Sequence, residues 1–492
     1  MAIAAAAGFG MLGSGASVAS AQCQGNELVK LTAADASVGD KFGRSTCLDG
    51  ETMVVGAYGV ENETGAVYVF TGSGPDWAQQ AKLTADDGEL SDRFGWSVAI
   101  SAETIVVGTM YDDDLGGNAG AAYVYVRSGD TWTCEAKLLA DDGEAVDKFG
   151  DAVSIDGDTI VIGATGDDDG ADQAGAAYVF VRSGGTWTQQ AKLVHDDPTK
   201  WDEFGTSVAI EGDLVAIGSI GDDDEGDCAG AVYMFERSGT VWTQRAKLTA
   251  SDGASSDNFG ASVTLRGDSL IVGSPGDDDM GPTSGSAYVF TQAGESWKQE
   301  AKLVASDGSD NAQLGAAVSL IGDIAVVGAG NETNPLGIGA GSAYVFVRSR
   351  RGWSEAAKLL ASDGDECDSA GSSVCLSGDT AVMAARNDDD GGENSGSVYV
   401  FRGMDDCNGN GELDLCDIVD GTSLDEDGDG VPDECQVCPA DINGDGVVDV
   451  LDLLAVLEAW GETGAVPADI TGDGVVDVLD LLEVLAAWGP CA

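Results

Sequence analysis

The dipeptide Phe-Gly stands at Phe42-Gly43, Phe94-Gly95, Phe149-Gly150, Phe204-Gly205 and Phe259-Gly260, with degenerate copies at Leu314-Gly315 and Ala370-Gly371. The steps between them are 52, 55, 55, 55, 55 and 56 residues, so one unit is written seven times. A fixed period of this length describes a unit that buries its apolar faces only against its neighbours. Each copy reads as four strands. Ser207–Ile210 exemplifies the first, Thr159–Gly163 the second, Ala177–Phe180 the third, and Thr186–Thr188 continuing through Ala191–Leu193 the fourth. β-branched and aromatic residues bounded by Gly, Asp and Ser carry this reading. Four short strands per copy make a propeller blade.

The ends of the array predict a closed ring. The seventh copy stops at its third strand, Tyr399-Val400-Phe401, and the missing fourth appears before the first copy as Leu28–Leu31. An open solenoid needs no displaced strand. The predicted fold is therefore all-β, a seven-bladed β-propeller over residues 26–403 whose last blade is completed by the N-terminal strand. Closure also places Cys47 and Cys375, at equivalent positions of the first and last blades, beside one another. A Cys47–Cys375 disulfide across the seam is one reading of this pair, and two small buried thiols the other.

Charge limits what the chain can bind. It has 23 Lys+Arg against 86 Asp+Glu, a net charge of −63 over 492 residues. Such a polyanion gains nothing from phosphate counterion release, and it is repelled by anionic lipid, so no nucleic-acid partner is expected. No apolar run is long enough to span a membrane. The single histidine, His195, excludes most imidazole chemistry; it is read as a solvated loop residue. No catalytic set is found. The tryptophans Trp77, Trp132, Trp187, Trp242, Trp297 and Trp353 recur with the repeat and are read as blade anchors.

Acidic triplets recur between the second and third strands, at Asp112–Asp114, Asp167–Asp169, Asp222–Asp224, Asp277–Asp279 and Asp388–Asp390. They share one face of the disc with the loops that enter Phe-Gly. Three consecutive Asp lack the alternation of a calcium loop, so a solubilising face is expected rather than an ion site. The Asp two residues before each Phe (Asp40, Asp92, Asp147, Asp202, Asp257 and, in the last copy, Asp368) is expected to satisfy loop amides.

The N-terminus carries an apolar stretch from Ala2 to Leu12 and then Ala19-Ser20-Ala21, which reads as a signal peptide over residues 1–21. Eleven cysteines fit an oxidising compartment, and secretion is expected.

Beyond residue 404 the composition changes. Residues 404–492 hold 23 acids and no Lys or Arg. Asp441, Asn443, Asp445, Asp449 and Asp452 occupy positions 1, 3, 5, 9 and 12 of an EF-hand-type loop, with Gly446 at the sharp turn and the Val447 carbonyl at position 7. The pattern returns 28 residues later as Asp469, Thr471, Asp473, Val475, Asp477 and Asp480. Alternating oxygen donors closed by an acid describe Ca²⁺ coordination. Two looser loops precede these in an acidic linker, residues 404–437. One is Asp406, Asn408, Asn410, Asp414 and Asp417; the other is Asp425, Asp427, Asp429 and Asp433, with Gln436 in the closing place. They are weaker calcium candidates. Apolar residues follow each of the two later loops at helical spacing: Leu451, Leu454, Leu457 and Trp460, then Leu479, Leu482, Leu485 and Trp488.

The Phe-Gly starts and the Val55-Gly56-Ala57 type of second strand resemble FG-GAP repeats, which build the propeller of integrin α-subunits and of many bacterial secreted proteins. The integrin calcium loops between strands one and two have no counterpart here, where only a turn such as Asp156-Gly157-Asp158 stands. The paired calcium loops of residues 438–492 are similar to a type I dockerin. That resemblance implies a cohesin-like protein partner, and termini close enough for a Cys438–Cys491 disulfide. It departs where many dockerins carry Ser-Thr, at Val450-Leu451 and Val478-Leu479. The looser loops are similar to thrombospondin type 3 or orphan EF-hand loops. The expectation is a secreted, calcium-binding adhesion or recognition protein with a monomeric propeller, its partner a protein or a surface glycan. The alternatives are a tethered polysaccharide-active enzyme and a structural surface protein.

Overall fold

The computed structural model describes residues 23–25, 27–294, 296–404, 413–420, 422–424 and 450–460, with single positions and pairs between 432 and 490. The expected signal peptide, residues 1–21, lies outside the described residues.

Seven sheets form the seven blades, each with four antiparallel strands, and that of the sixth blade gains a fifth. In the first blade, Thr46–Asp49, Thr52–Ala57, Ala66–Ser73 and Asp76–Leu83 follow one another outward from the axis. The second strands are buried along their whole length, as in Thr52–Ala57 and Thr159–Ala164, or all but their first residue, as in Ile324–Ala329, because blades cover both of their faces. In the outer strands burial gives way to partial exposure.

The ring closes as expected. Val29–Leu31 pairs antiparallel with Ser397–Phe401, with Lys30 opposite Tyr399. Across the seam Thr46 N donates to Ser373 Oγ at 3.0 Å and Gly50 N to Ser377 Oγ at 3.0 Å. Inner strands of adjacent blades thus meet through side chains rather than a backbone ladder.

Phe-Gly is the joint between blades. Phe42, Phe94, Phe149, Phe204 and Phe259 are fully buried, each edge-on to the tyrosine of its own third strand, as Phe42 to Tyr68 at 5.5 Å. Phe94 bridges in parallel to Gly65 of the preceding blade. Gly95 has φ +87°, and a Cβ there would lie 2.6 Å from the Ala66 carbonyl oxygen. Only glycine meets both conditions.

One expectation is corrected at the seam. Cys47 and Cys375 lie on neighbouring inner strands across the seam, but as free thiols rather than a disulfide. The Cys375 sulfur accepts the backbone N–H of Leu48 at 3.1 Å, so it is turned toward the neighbouring backbone. The bond that does span the chain is Cys23–Cys416, between residues 393 apart. Cys23–Gly25 adds a parallel strand to Gly352–Leu359, the outer strand of the sixth blade. The helix Asp414–Asp420 docks beside it, with Leu413, Leu415 and Cys416 buried among Leu359, Phe401 and Met404.

That disulfide ties the two ends of the ring to one another. Replacing Cys23 and Cys416 by serine should remove about 3 kcal/mol, typical for a native disulfide. Urea unfolding should show a lower midpoint with Phe-Gly packing otherwise intact; an unchanged midpoint would refute this.

Candidate functional site

The acidic face is built by a lysine and a tyrosine supplied once per blade. In the fifth blade Lys302 Nζ, from the fourth strand, lies 2.9 Å from Asp252, 2.6 Å from Asp277 and 2.6 Å from Asp279. The Tyr288 hydroxyl donates to Asp252 and Asp277, both at 3.0 Å. The second, third, fourth and seventh blades repeat this with Lys137, Lys192, Lys247 and Lys30. Each acidic triplet divides its work. The first Asp is buried and takes the lysine, and its other oxygen accepts the backbone N–H of the third, as Asp114 N to Asp112 at 3.1 Å. In three of the five triplets the second Asp accepts the N–H five residues on, as Asn118 N to Asp113 at 2.6 Å. The third pairs with the lysine from solvent.

The triplets are therefore neither a merely solvated surface nor bare ion sites. A built-in ammonium occupies the centre of each carboxylate group, as in the cluster of Asp252, Asp277 and Asp279. Charge-assisted bonds of this kind are shorter and stronger than neutral ones. Two blades deviate. Blade six has Glu332 with Asp307 around Lys358, and blade one has only Asp35 with Lys82.

The Asp two before each Phe behaves as expected. Asp40, Asp92, Asp147, Asp202, Asp257 and Asp368 are buried, and each accepts a loop amide at 2.6–2.8 Å. Burial pushes the carboxyls of Asp147 and Asp368 up to about 6 despite that amide. A carboxyl raised in the fold favours the fold when protonated, so these two weaken it as pH rises through 4 to 6.

His195 corrects the sequence reading. It is buried, not solvated, stacked at 5.1 Å on Phe204, with Nδ1 3.0 Å from Asp197 Oδ1. It replaces the alanine found at the same place in other blades, such as Ala250 and Ala305. The repeat tryptophans act as anchors between outer strands: Trp132 Nε1 donates to Gln80 and Trp187 Nε1 to Glu135, both at 2.9 Å.

The inner strands enclose an axial cavity of about 530 Å³. Cys47, Ser154, Thr264, Ser319 and Cys375 ring its middle with two alanines. Its middle offers hydroxyls and thiols, and Asp49, Asp156 and Arg266 also line it.

In the tail, the structure places few of the predicted ligands. Asp441, Asn443, Asp445, Asp449, Asp469, Thr471, Asp473, Asp477 and Asp480 lie outside the described residues, as do Asp406, Asn408, Asn410, Asp425, Asp427, Asp429, Asp433 and the pair Cys438–Cys491. Val447-Val448 pairs antiparallel with Gly489-Pro490, which brings the chain end back to the first loop. The helix Val450–Glu458, which includes Asp452, starts at loop position 10, as an EF-hand-type loop requires. Asp414 and Asp417, at positions 9 and 12 of the looser loop, are likewise on a helix, and both are buried. Thr422 Oγ1 donates to Asp417 at 2.8 Å.

The apolar stripe after the first loop is not core. Val450, Leu451, Leu454, Leu457 and Trp460 are each about half exposed, whereas Val456 is fully buried. Val475 and Val478 are exposed in the second repeat.

The FG-GAP repeat family matches residues 26–70, 77–125, 132–180, 187–235, 242–290, 297–346 and 353–401. The chain belongs to the FG-GAP repeat family. The Dockerin type I domain matches residues 439–487. This FG-GAP propeller therefore carries a dockerin module of a kind that binds calcium and cohesin. No curated protein matches the chain. Among solved structures it is similar to a chain of the mitotic checkpoint complex, at 14% identity and TM-score 0.49, covering 82% of this chain and 98% of that one. It is also similar to Saccharomyces cerevisiae Sqt1, at 12% identity and TM-score 0.43, covering 79% and 87%. Among the described residues no helix is long and apolar enough to cross a membrane.

The lysine–tyrosine clusters were missed in the sequence. Their signal was present: every copy has a lysine between small or apolar neighbours in a strand, as in Ala191-Lys192-Leu193 and Ala301-Lys302-Leu303.

Proposed function

We propose that this chain is a secreted recognition protein, its propeller a binding face and its dockerin module a calcium-dependent attachment to a protein partner. The observation that carries the reading is the half-exposed row Val450, Leu451, Leu454, Leu457 and Trp460 on the helix leaving the first calcium loop. Apolar side chains exposed in a row of this kind mark a surface for contact with another molecule. Loops one and two would hold Ca²⁺ through Asp441, Asn443, Asp445, Asp449 and Asp452, and through Asp469, Thr471, Asp473, Asp477 and Asp480. The donors are all oxygen, which fits a hard cation. Binding would fix the helix that displays the stripe. With Val450-Leu451 where other dockerins carry Ser-Thr, the partner's surface is apolar. The Cys23–Cys416 disulfide supports an oxidising compartment. We assign binding rather than enzymatic chemistry to the propeller, whose described acidic face is committed to internal lysine and tyrosine pairs.

The test is capture with the full chain immobilised, from culture and surface fractions of the source organism. A partner should be retained with Ca²⁺, released by EDTA, and lost with Leu454→Glu. Retention of nothing under either condition would remove the attachment reading.

A further inference from the structure

The mouth of the axial channel on the acidic face breaks the sevenfold symmetry. The residue after each Phe-Gly glycine is Arg44, Trp96 and Asp151 in the first three blades but Ala261, Ala316 and Ser372 in the last three. One side is filled and the other is left low, with Ala316 exposed. On the filled side Arg44 lies 3.9 Å over the Trp96 ring. Arg93 lies 4.7 Å from the Tyr111 ring and 5.3 Å from that of Tyr58. Arg386 follows directly on the second strand of blade seven, Thr380–Ala385, whose Ala384 packs against Gly43 beside Arg44, and the next residue, Asn387, takes the Lys41 ammonium at 2.8 Å; burial first, and then the Arg386 charge, weakens the hold of Arg44 and Lys41 on their protons.

These cations differ from the repeat lysines. The repeat lysines of five blades each hold three carboxylates. Among the described residues Arg44, Arg386 and Lys41 have no carboxylate within ion-pair distance, in a chain of net charge −63. The Asp151 carboxylate supports the Arg44 charge only from beyond ion-pair distance, with its oxygens accepting from Trp96 Nε1 at 2.9 Å and Thr165 Oγ1 at 2.7 Å. Lys41 donates only to the neutral amide oxygens of Asn387, at 2.8 Å, and Asn394, at 2.6 Å. Like charges held together at a half-buried site destabilise the free protein, and an anion arriving from outside relieves them.

We propose that this mouth binds the carboxylate of a sugar acid, held between the guanidinium groups of Arg44 and Arg386. Guanidinium is suited to planar, bidentate capture of a carboxylate. The surrounding face selects the rest of the ligand. Its ring of carboxylates repels a polyanion, so the ligand carries a single negative charge. A neutral hydroxylated ring fits the low side, over Ala261, Ala316 and Ser372, with the half-buried Tyr58 and Tyr111 flanking the cations. This reading gives a ligand class to the recognition face proposed above. It rests on that face alone and not on the tail.

The experiment is isothermal titration of the full chain with D-galacturonate, alongside D-galactose and sulfate. Galacturonate should bind, and both Arg44→Gln and Arg386→Gln should weaken it at least tenfold. Ala316→Trp, which keeps both arginines and fills the low side, should do the same. Lys298→Gln, an exposed cation on an outer strand, should change nothing. The proposal is overturned if galacturonate gives no binding, if galactose or sulfate binds as tightly, or if the arginine variants bind like the parent. Because the assay reads the propeller directly, its failure is separate from a failure to capture a partner through the tail.

Discussion

Lys358→Met should cost about 3–5 kcal/mol, the loss expected when one partner of a buried ion pair is removed and the other is left uncompensated. Lys358 and Glu332 have side-chain exposures of 5% and 2%, and they lie 2.5 Å apart. Glu332 also accepts the hydroxyls of Ser342 and Tyr344. Those two donors cannot replace an ammonium. The equivalent lysines of other blades are 16–20% exposed and sit among more solvent-facing acids, so their loss should cost less. The check is urea unfolding of Lys358→Met against Lys302→Met. Adding Glu332→Gln to Lys358→Met should recover a large part of the loss, because it removes the stranded charge. If Lys358→Met is no worse than an exposed-lysine change, the buried pair is not what holds blade six.

The repeat period made the propeller legible, and the displaced strand at Leu28–Leu31 made its closure legible. Both follow from pattern alone, since a blade cannot bury its faces without neighbours. The parts that stayed hidden depend on where side chains converge from distant positions. Asp252, Asp277 and Lys302 read as an acidic turn, an acidic triplet and a strand lysine until the fold brings both carboxylates within 3 Å of the Lys302 ammonium. His195 read as solvated because its sequence neighbours are acids, yet it fills the place of an alanine against Phe204. Cys47 and Cys375 were placed correctly side by side. The chemistry between them was not legible, since strand equivalence fixes position but not where a sulfur points. Cys23 and Cys416 gave no pairing signal, because neither belongs to the repeat.

The same clusters predict an abrupt alkaline limit to stability. Burial pushes the phenols of Tyr68, Tyr123, Tyr178, Tyr233, Tyr288, Tyr344 and Tyr399 above their ordinary value near 10, and the carboxylates that accept their hydrogen bonds add to the rise. The repeat lysines Lys30, Lys137, Lys192, Lys247 and Lys302 move the same way: burial opposes their charge, but hydrogen bonds to the carboxylates outweigh it. A group that holds its proton more tightly in the fold contributes its full stability below its unfolded pKa and loses it as pH rises through the folded one. Stability should therefore be level toward pH 9.5 and fall above pH 10. Each tyrosine supplies a slope of up to about 1.4 kcal/mol per pH unit, and the seven act together. Tyrosine absorbance followed beside circular dichroism decides it. At least seven of the ten tyrosines should stay un-ionised until the sheet signal collapses, then titrate in one step. If all ten ionise smoothly around pH 10 while the sheets persist, the hydroxyls are not held in the carboxylate clusters, and the acidic face is looser than the lysine geometry requires.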